Sequence, residues 1–133
     1  MLTASINLIG VIAATAVALI IGFSWYSPAL FGNAWLNSIT SKGKKAPKMN
    51  AFGLIMLIVS SFVTAIVLDI FIGVAHTTSI GGALAVAAII WVGFFFPKEI
   101  VSAAMRHHGK MLAINAFHDL IALLIMAAVL IYI

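Results

Sequence analysis

The chain has 133 residues, of which 65% are hydrophobic and only 8% are charged, and its formal net charge is +4. Soluble domains usually carry about 25% charged residues, so this composition excludes a soluble globular domain and indicates a protein that lies in a membrane. The sequence has no cysteine, which excludes disulfides and thiolate chemistry.

Four stretches are long and apolar enough to span a bilayer, which takes about 20 mostly apolar residues in a helix. They are residues 2–26, 50–72, 80–96 and 112–133. No basic residue precedes the first stretch, so we expect a retained helix rather than a secretory signal. The sequence therefore predicts an all-α membrane protein with a single four-helix domain over residues 1–133.

The first helix carries small residues at a strict four-residue spacing: Gly10, Ala14, Ala18 and Gly22. Small side chains at this spacing share a helix face and let backbones approach closely in lipid. We interpret this small-residue stripe as a contact surface for another helix, either of this chain or of a second copy.

A proline follows an aromatic cluster at the end of the first and of the third helix. Ser27 is placed to cap a helix whose first residue is Pro28, and Pro97 would start a similar segment with Glu99 in its first turn. We expect both segments to be short helices that lie in the membrane interface. Three nearby side chains would belong to the aromatic belt: Trp25, Tyr26 and Trp35.

The two halves of the chain share a pattern that predicts an internal repeat. Pro28 and Pro97 follow the first and third helices, and an Asn-Ala-Phe triplet opens the second and fourth, at Asn50 and Asn115. Both halves would cross the membrane in the same direction, so the repeat would be parallel, with its axis along the membrane normal. A chance match is the alternative, since membrane helices share a composition.

All seven Lys and Arg residues fall in the two connectors that follow the first and third helices. The positive-inside rule places both connectors in the cytoplasm and both termini outside, and we expect the bacterial inner (cytoplasmic) membrane. No aromatic residue is interleaved with the lysines of the first connector, so we expect no nucleic-acid partner. These lysines would contact anionic lipid headgroups: Lys42, Lys44, Lys45 and Lys48.

Asp119 is the most informative polar residue, because it lies about 10 Å along the fourth helix from Leu112, well inside the apolar core. A carboxylate there is costly unless it is paired, protonated or hydrated. Asn115 lies one turn before it, while His118 is its neighbour and is expected to point elsewhere. The pattern indicates a proton or ligand site, with Tyr26 and Trp25 at its mouth, or a structural clamp between helices. Candidate partners of the carboxylate are Lys98, Arg106 and Tyr26.

Two other polar features have structural interpretations. Asp69 lies near the outer end of the second helix, level with Asn7 and His76, where we expect a cap or clamp. His107 and His108 are adjacent, a spacing that suits zinc poorly, and the chain has no phosphate-binding loop, hydrolase or haem pattern. We therefore expect no metal and no cofactor.

The chain resembles a family of small bacterial membrane proteins named domain of unknown function 1761. The resemblance rests on Trp-Tyr-Ser-Pro-Ala-Leu-Phe-Gly-Asn-Ala-Trp at residues 25–35, and it extends to Ile-Asn at residues 6–7 with Gly10 and to Ile-Asn-Ala at residues 114–116. It implies four helices and an integral membrane location, and no established activity or ligand. After Asn-Ala the family tends towards Gly-Tyr, whereas this chain has Phe-His-Asp at residues 117–119, so the acidic residue would belong to a subgroup.

Three functions are compatible with the sequence. The leading hypothesis is a homo-oligomeric channel or transporter-like protein for a small solute or protons, in which two copies pack through the small-residue stripe. The second is a structural or accessory subunit of a larger membrane complex. The third, ranked last, is a membrane enzyme that uses Asp119 or His118 as its acid or base, for which the sequence shows neither a cavity nor a second reactive group.

The charge distribution predicts the orientation, which single cysteines can test. Thr78→Cys should react with an impermeant thiol reagent in intact cells, whereas Lys44→Cys and Arg106→Cys should react only after the membrane is opened. The opposite labelling pattern would reverse the orientation.

Overall fold

The computed structural model describes residues 5–39, 50–106 and 109–133. Within these residues the chain forms six α-helices and one π-helical turn, Trp91–Phe95. The α-helices are α1 (Leu8–Trp25), α2 (Gly32–Ile39), α3 (Ala51–Val74), α4 (Ile80–Ile90), α5 (Phe96–Arg106) and α6 (Gly109–Tyr132).

Four helical segments among the described residues are long and apolar enough to cross a membrane: Leu8–Trp25, Ala51–Val74, Ile80–Met105 and Gly109–Tyr132. This confirms the predicted all-α class with four spanning helices and makes the chain a multi-pass membrane protein. We call the end of the bundle where α1 ends the Trp25 end, and the opposite end the Asn7 end.

The central helix is α6, which packs against every other α-helix of the described chain. The core around it is built from alanines of α1, α3, α4 and α6 that have 0% of their surface exposed: Ala14, Ala65, Ala83, Ala87 and Ala127. Because these side chains are small, the helix backbones can approach closely. In lipid, where the hydrophobic effect does not drive helices together, such close van der Waals packing stabilises their association.

The small-residue stripe of α1 lies inside this core. Gly10 and Ala14 are buried, and Ala18 and Gly22 are half-buried. The other helices of the same chain cover its Ala14 surface, and the packing of two copies through the rest of the stripe stays a prediction.

The segment after Pro28 differs from the prediction. Residues 26–31 form turns, and α2 begins at Gly32 instead of Pro28. Ser27 does not cap α2; its hydroxyl donates to the Ser24 carbonyl oxygen at 2.6 Å, while its own carbonyl accepts from Gly32 N at 2.9 Å. The chain therefore makes a tight reversal after α1.

The segment around Pro97 also differs, because no break separates the third spanning helix from α5. A proline in a helix has no N–H to donate, and its ring clashes with the carbonyl four residues earlier. The π-helical turn at Trp91–Phe95, in which Phe96 N donates to the Trp91 carbonyl, widens the helix just before the proline. The helix passes through Pro97 as a result, and α5 continues it.

The predicted internal repeat pairs residues that occupy different local structures. Asn50 caps α3, where its side chain accepts from Gly53 N at 2.8 Å, whereas Asn115 lies inside α6. Pro28 lies in a turn and Pro97 in a helix. The superposition of the halves stays a prediction. The lysines at 42, 44, 45 and 48 lie outside the described residues.

At the Asn7 end, Asp69 acts as the clamp that its position indicated. Its Oδ2 accepts from Asn7 N at 2.8 Å, and the Asn7 side chain caps α1 by accepting from Gly10 N at 3.0 Å. The chain then turns through His76, which has a positive φ of 51°, to the cap of α4 at Ser79.

The close packing of α1 predicts that substitutions of two of its alanines, one buried and one exposed, differ in their effect on stability. Ala14→Leu should lower the free energy of unfolding by about 1–3 kcal/mol, because the larger side chain forces buried backbones apart. Ala16 is exposed on the same helix, so Ala16→Leu is the matched control and should leave stability unchanged. Thermal unfolding in detergent measures both, and equal stability of the two variants would contradict the packing.

Candidate functional site

An open cleft with a volume of about 560 Å³ lies near the Trp25 end and is lined by residues of α1, α2, α3, α5 and α6 and by Tyr26. We call it the polar cleft. Its size falls within the range of small-molecule sites, roughly 300–1,000 Å³. Its apolar wall consists of Ala18, Leu19, Gly22, Phe23 and Leu57, and its aromatic and polar wall of Tyr26, Trp35, Lys98, Glu99, Asn115, His118 and Asp119.

Three aromatic side chains hold α6 beside the cleft, and we call them the aromatic clamp: Trp25, Tyr26 and Trp91. Trp25 Nε1 donates to the Ile114 carbonyl at 3.0 Å, and Trp91 Nε1 donates to the Ala116 carbonyl at 2.8 Å. Tyr26 Oη donates to Asn115 Oδ1 at 2.6 Å. The clamp therefore grips three consecutive residues of α6.

Trp25 and Tyr26 bind α6 directly, which the sequence did not predict, and their place in an aromatic belt stays a prediction. Both side chains are half-buried, and their polar atoms point to α6. The reason is that lipid supplies no hydrogen bonds, so indole and phenol groups below the surface need partners within the protein. The described lining of the cleft includes Tyr26 but not Trp25, which packs behind it with its ring 6.1 Å from that of His118.

The reversal after α1 sets the aromatic wall of the cleft. A Cβ atom on Gly32 would overlap the Tyr26 carbonyl oxygen and lie within 2.7 Å of Ser27 atoms, so the turn needs glycine at this position. The turn brings the Trp35 ring to 5.6 Å from the Tyr26 ring, in an edge-on arrangement. The Trp-Tyr-Ser-Pro motif and the glycine that follows it thus shape one side of the cleft.

His118 and Asp119 line the cleft together, which corrects the expectation that His118 points elsewhere. His118 Nδ1 and Asp119 Oδ1 are 3.1 Å apart. Neighbouring residues leave a helix about 100° apart, but both side chains are long enough to curve back into one cavity. His118 Nε2 is buried without a hydrogen-bond partner, and a Cβ atom on Gly22 would lie 3.7 Å from it.

A second carboxylate in the cleft escaped the sequence analysis. Glu99 is only 8% exposed, and its Oε1 lies 3.5 Å from Lys98 Nζ. Lys98 therefore pairs with Glu99 and is not the predicted partner of Asp119. The sequence showed Glu99 only as an acidic residue in the first turn of a helix. The π-helical turn before α5 determines which side of α5 faces the cleft, and such a turn leaves no periodic pattern in the sequence.

The hydroxyl of Tyr26, which follows the end of α1, is held in its protonated form. Burial raises the pKa of this hydroxyl, and the negative charges of Asp119 and then Glu99 add to the effect. Tyr26 therefore remains a hydrogen-bond donor to Asn115 throughout the ordinary pH range.

The Trp-Tyr-Ser-Pro turn and the Asn115 region, which carry the family resemblance, are therefore the parts that build the clamp and the cleft. A family model described as "Protein of unknown function (DUF1761)" matches residues 9–131. The chain belongs to this family. No curated protein and no solved structure matches it. The DUF1761 description assigns no activity.

The candidate residues of this DUF1761 protein divide into two groups. Tyr26, Asn115, His118 and Asp119 meet in the cleft, whereas Trp25 supports it from behind. In the part of the chain that the structure describes, no three His, Asp or Glu side chains are grouped closely enough to hold a metal ion. His107, His108 and the Arg106 side chain lie outside the described parts.

Gly32 gives a direct test of how the cleft is built. Gly32→Ala should destabilise the protein by about 1–3 kcal/mol, because the added methyl group meets backbone atoms of Tyr26 and Ser27. A Cβ atom on Gly81 would meet open space, so Gly81→Ala is the control and should not destabilise the protein. Thermal unfolding and tryptophan fluorescence measure the effect, and equal unfolding temperatures would contradict the requirement for glycine.

Proposed function

We propose that this protein moves protons across the membrane through the polar cleft, alone or coupled to a small solute. The observation that carries the proposal is the His118–Asp119 pair, two proton-binding side chains that line an open cleft. Asp119 lies about 15 Å along α6 from its start at Gly109, deep in an apolar span. Ionisable groups at such depth commonly mark ion or proton pathways.

The contacts of Asp119 favour a pathway over a clamp. A clamp joins two helices, as Asp69 does when it binds the backbone of Asn7. The described hydrogen bond of Asp119 stays within α6, on the neighbouring His118. Asp119 therefore does little to hold α6 against another helix, and in this bundle that work is done by the aromatic clamp.

A complete pathway needs a change in packing or a second copy of the chain. Between the cleft and the Asn7 end, the helices close over side chains with 0% exposure, namely Val11, Ala14 and Ala127. We propose a homo-oligomer in which the helices alternately open towards each side. Its interface would use an outer helix face, because other helices of the same chain already cover the Ala14 part of the small-residue stripe.

The charges support an orientation for this pathway. Lys98 and Lys110 lie near the Trp25 end, so the positive-inside rule places the mouth of the cleft in the cytoplasm and both termini outside, in the bacterial inner membrane. The lysines at 42, 44, 45 and 48 would then contact anionic headgroups of the inner leaflet.

An enzymatic role ranks behind transport. The cleft supplies the cavity and the second carboxylate that the sequence did not show. The described lining, however, contains no serine, threonine or cysteine that could act as a nucleophile beside His118. A general acid and base would also need a substrate between them, whereas His118 and Asp119 bind each other.

Proton flux into liposomes under a potassium diffusion potential tests the proposal. The wild-type protein should acidify the lumen faster than empty liposomes, and Asp119→Asn should reduce the flux at least tenfold at matched insertion, because the amide binds no proton at physiological pH.

Asp69→Asn is the matched control, with the same chemical change at the Asn7 end. It should keep the flux and lower the free energy of unfolding by about 1 kcal/mol, because a charge-assisted hydrogen bond becomes a neutral one. Equal flux from wild type and Asp119→Asn would overturn the proposal and leave the accessory-subunit hypothesis. No flux above empty liposomes, both with and without a gradient of a small organic cation, would do the same.

A further inference from the structure

We infer that the polar cleft binds a small organic cation with a single positive charge and an apolar body, and that Asp119 is its counter-ion. This inference rests on the proposed function, because it names the class of solute for that pathway. It follows from three properties of the cleft: its charge balance, its aromatic wall and its apolar wall.

The charge balance leaves one negative charge without a partner. The Lys98 ammonium lies against the Glu99 carboxylate at 3.5 Å, so these two charges compensate each other. Among the described residues, no Lys or Arg nitrogen lies within 4.0 Å of the Asp119 carboxylate. Its contact is the ring of His118.

The hydrogen bond of His118 orients the carboxylate. An ionised Asp119 can only accept, so Nδ1 of His118 carries the hydrogen that lies between them. Nε2 of His118 is buried and has no hydrogen-bond partner. In its neutral form this ring directs Asp119 without cancelling its charge, which leaves the carboxylate to pair with a cation.

The aromatic wall indicates what kind of cation fits. Tyr26 and Trp35 line the same cleft as Asp119, and their rings are 5.6 Å apart. Aromatic faces attract cationic nitrogen and tolerate the methyl or methylene groups around it. A metal cation would instead need several oxygen ligands, and Asn115 Oδ1 already accepts from Tyr26.

The apolar wall of the cleft offers a surface on which the apolar part of the ligand can pack. Ala18, Leu19 and Leu57 line the same cleft as the carboxylates and give it apolar surface. The volume of about 560 Å³ suits a molecule larger than an ammonium ion. A neutral molecule would leave Asp119 unpaired, and an anion would be repelled by Asp119.

Binding to the full chain in nanodiscs, by calorimetry with empty nanodiscs subtracted, tests the inference. The probe is benzyltrimethylammonium, and its neutral counterpart of similar shape is benzyldimethylcarbinol. The cation should bind at least about tenfold more tightly than the alcohol. Asp119→Asn should remove this preference, and Asp69→Asn should retain it.

The aromatic wall is tested separately, with variants that keep Asp119. Trp35→Leu should weaken binding of the cation several-fold, and Trp35→Phe should restore most of it, because phenylalanine keeps an aromatic face. These variants keep the test decisive if Asp119→Asn does not fold. Equal affinity for the cation and the alcohol, or an unchanged preference in folded Asp119→Asn, would overturn the inference.

The binding and flux experiments fail independently. Cation binding without proton flux would support the ligand class and overturn the proposed proton movement. Proton flux without cation binding would overturn the ligand class and leave the proposed function standing.

Discussion

The hydrogen bonds that the aromatic clamp donates to α6 are the constraint on which the rest of the bundle depends. In a bilayer, helices gain little by burying apolar surface against each other, and polar groups have no water to bind. Trp25, Tyr26 and Trp91 fix α6 at three consecutive positions, through two backbone carbonyls and one amide side chain. Because the clamp holds α6 in register with α1 and the third spanning helix, the alanine core above it can close.

The two aspartates of the spanning helices differ in their hydrogen-bond partners, and this difference indicates different roles. Asp69 binds the backbone N–H of Asn7 and thereby ties the start of α1 to the end of α3. Asp119 has a similar degree of exposure but binds only its helical neighbour among the described residues. The first carboxylate is used by the fold, whereas the second remains available to the cleft.

The sequence predicted the spanning helices because their length and composition directly reflect the thickness of the bilayer. It also placed Tyr26, Asn115 and Asp119 as candidates, since polar residues in apolar spans are few. The contacts of these residues were not predictable. Helical periodicity shows which residues share a face, but not which helix lies opposite, so Lys98 was paired with the wrong carboxylate. The π-helical turn before Pro97 and the reversal before Gly32 depend on local sterics that carry no periodic signal.

The residues of the aromatic clamp and the His118–Asp119 pair relate differently to the family pattern. The first hold the helices together, and the second supply the ionisable groups of the cleft. Trp25, Tyr26 and Asn115 belong to the motifs by which the chain resembles its family, and they hold α6 in place. His118 and Asp119 follow directly, where the chain departs from the family tendency. A substitution there changes the charge of the cleft without touching a clamp hydrogen bond. Under the proposed function, a member of the family with other residues at positions 118 and 119 would keep the aromatic clamp and present a cleft of different charge.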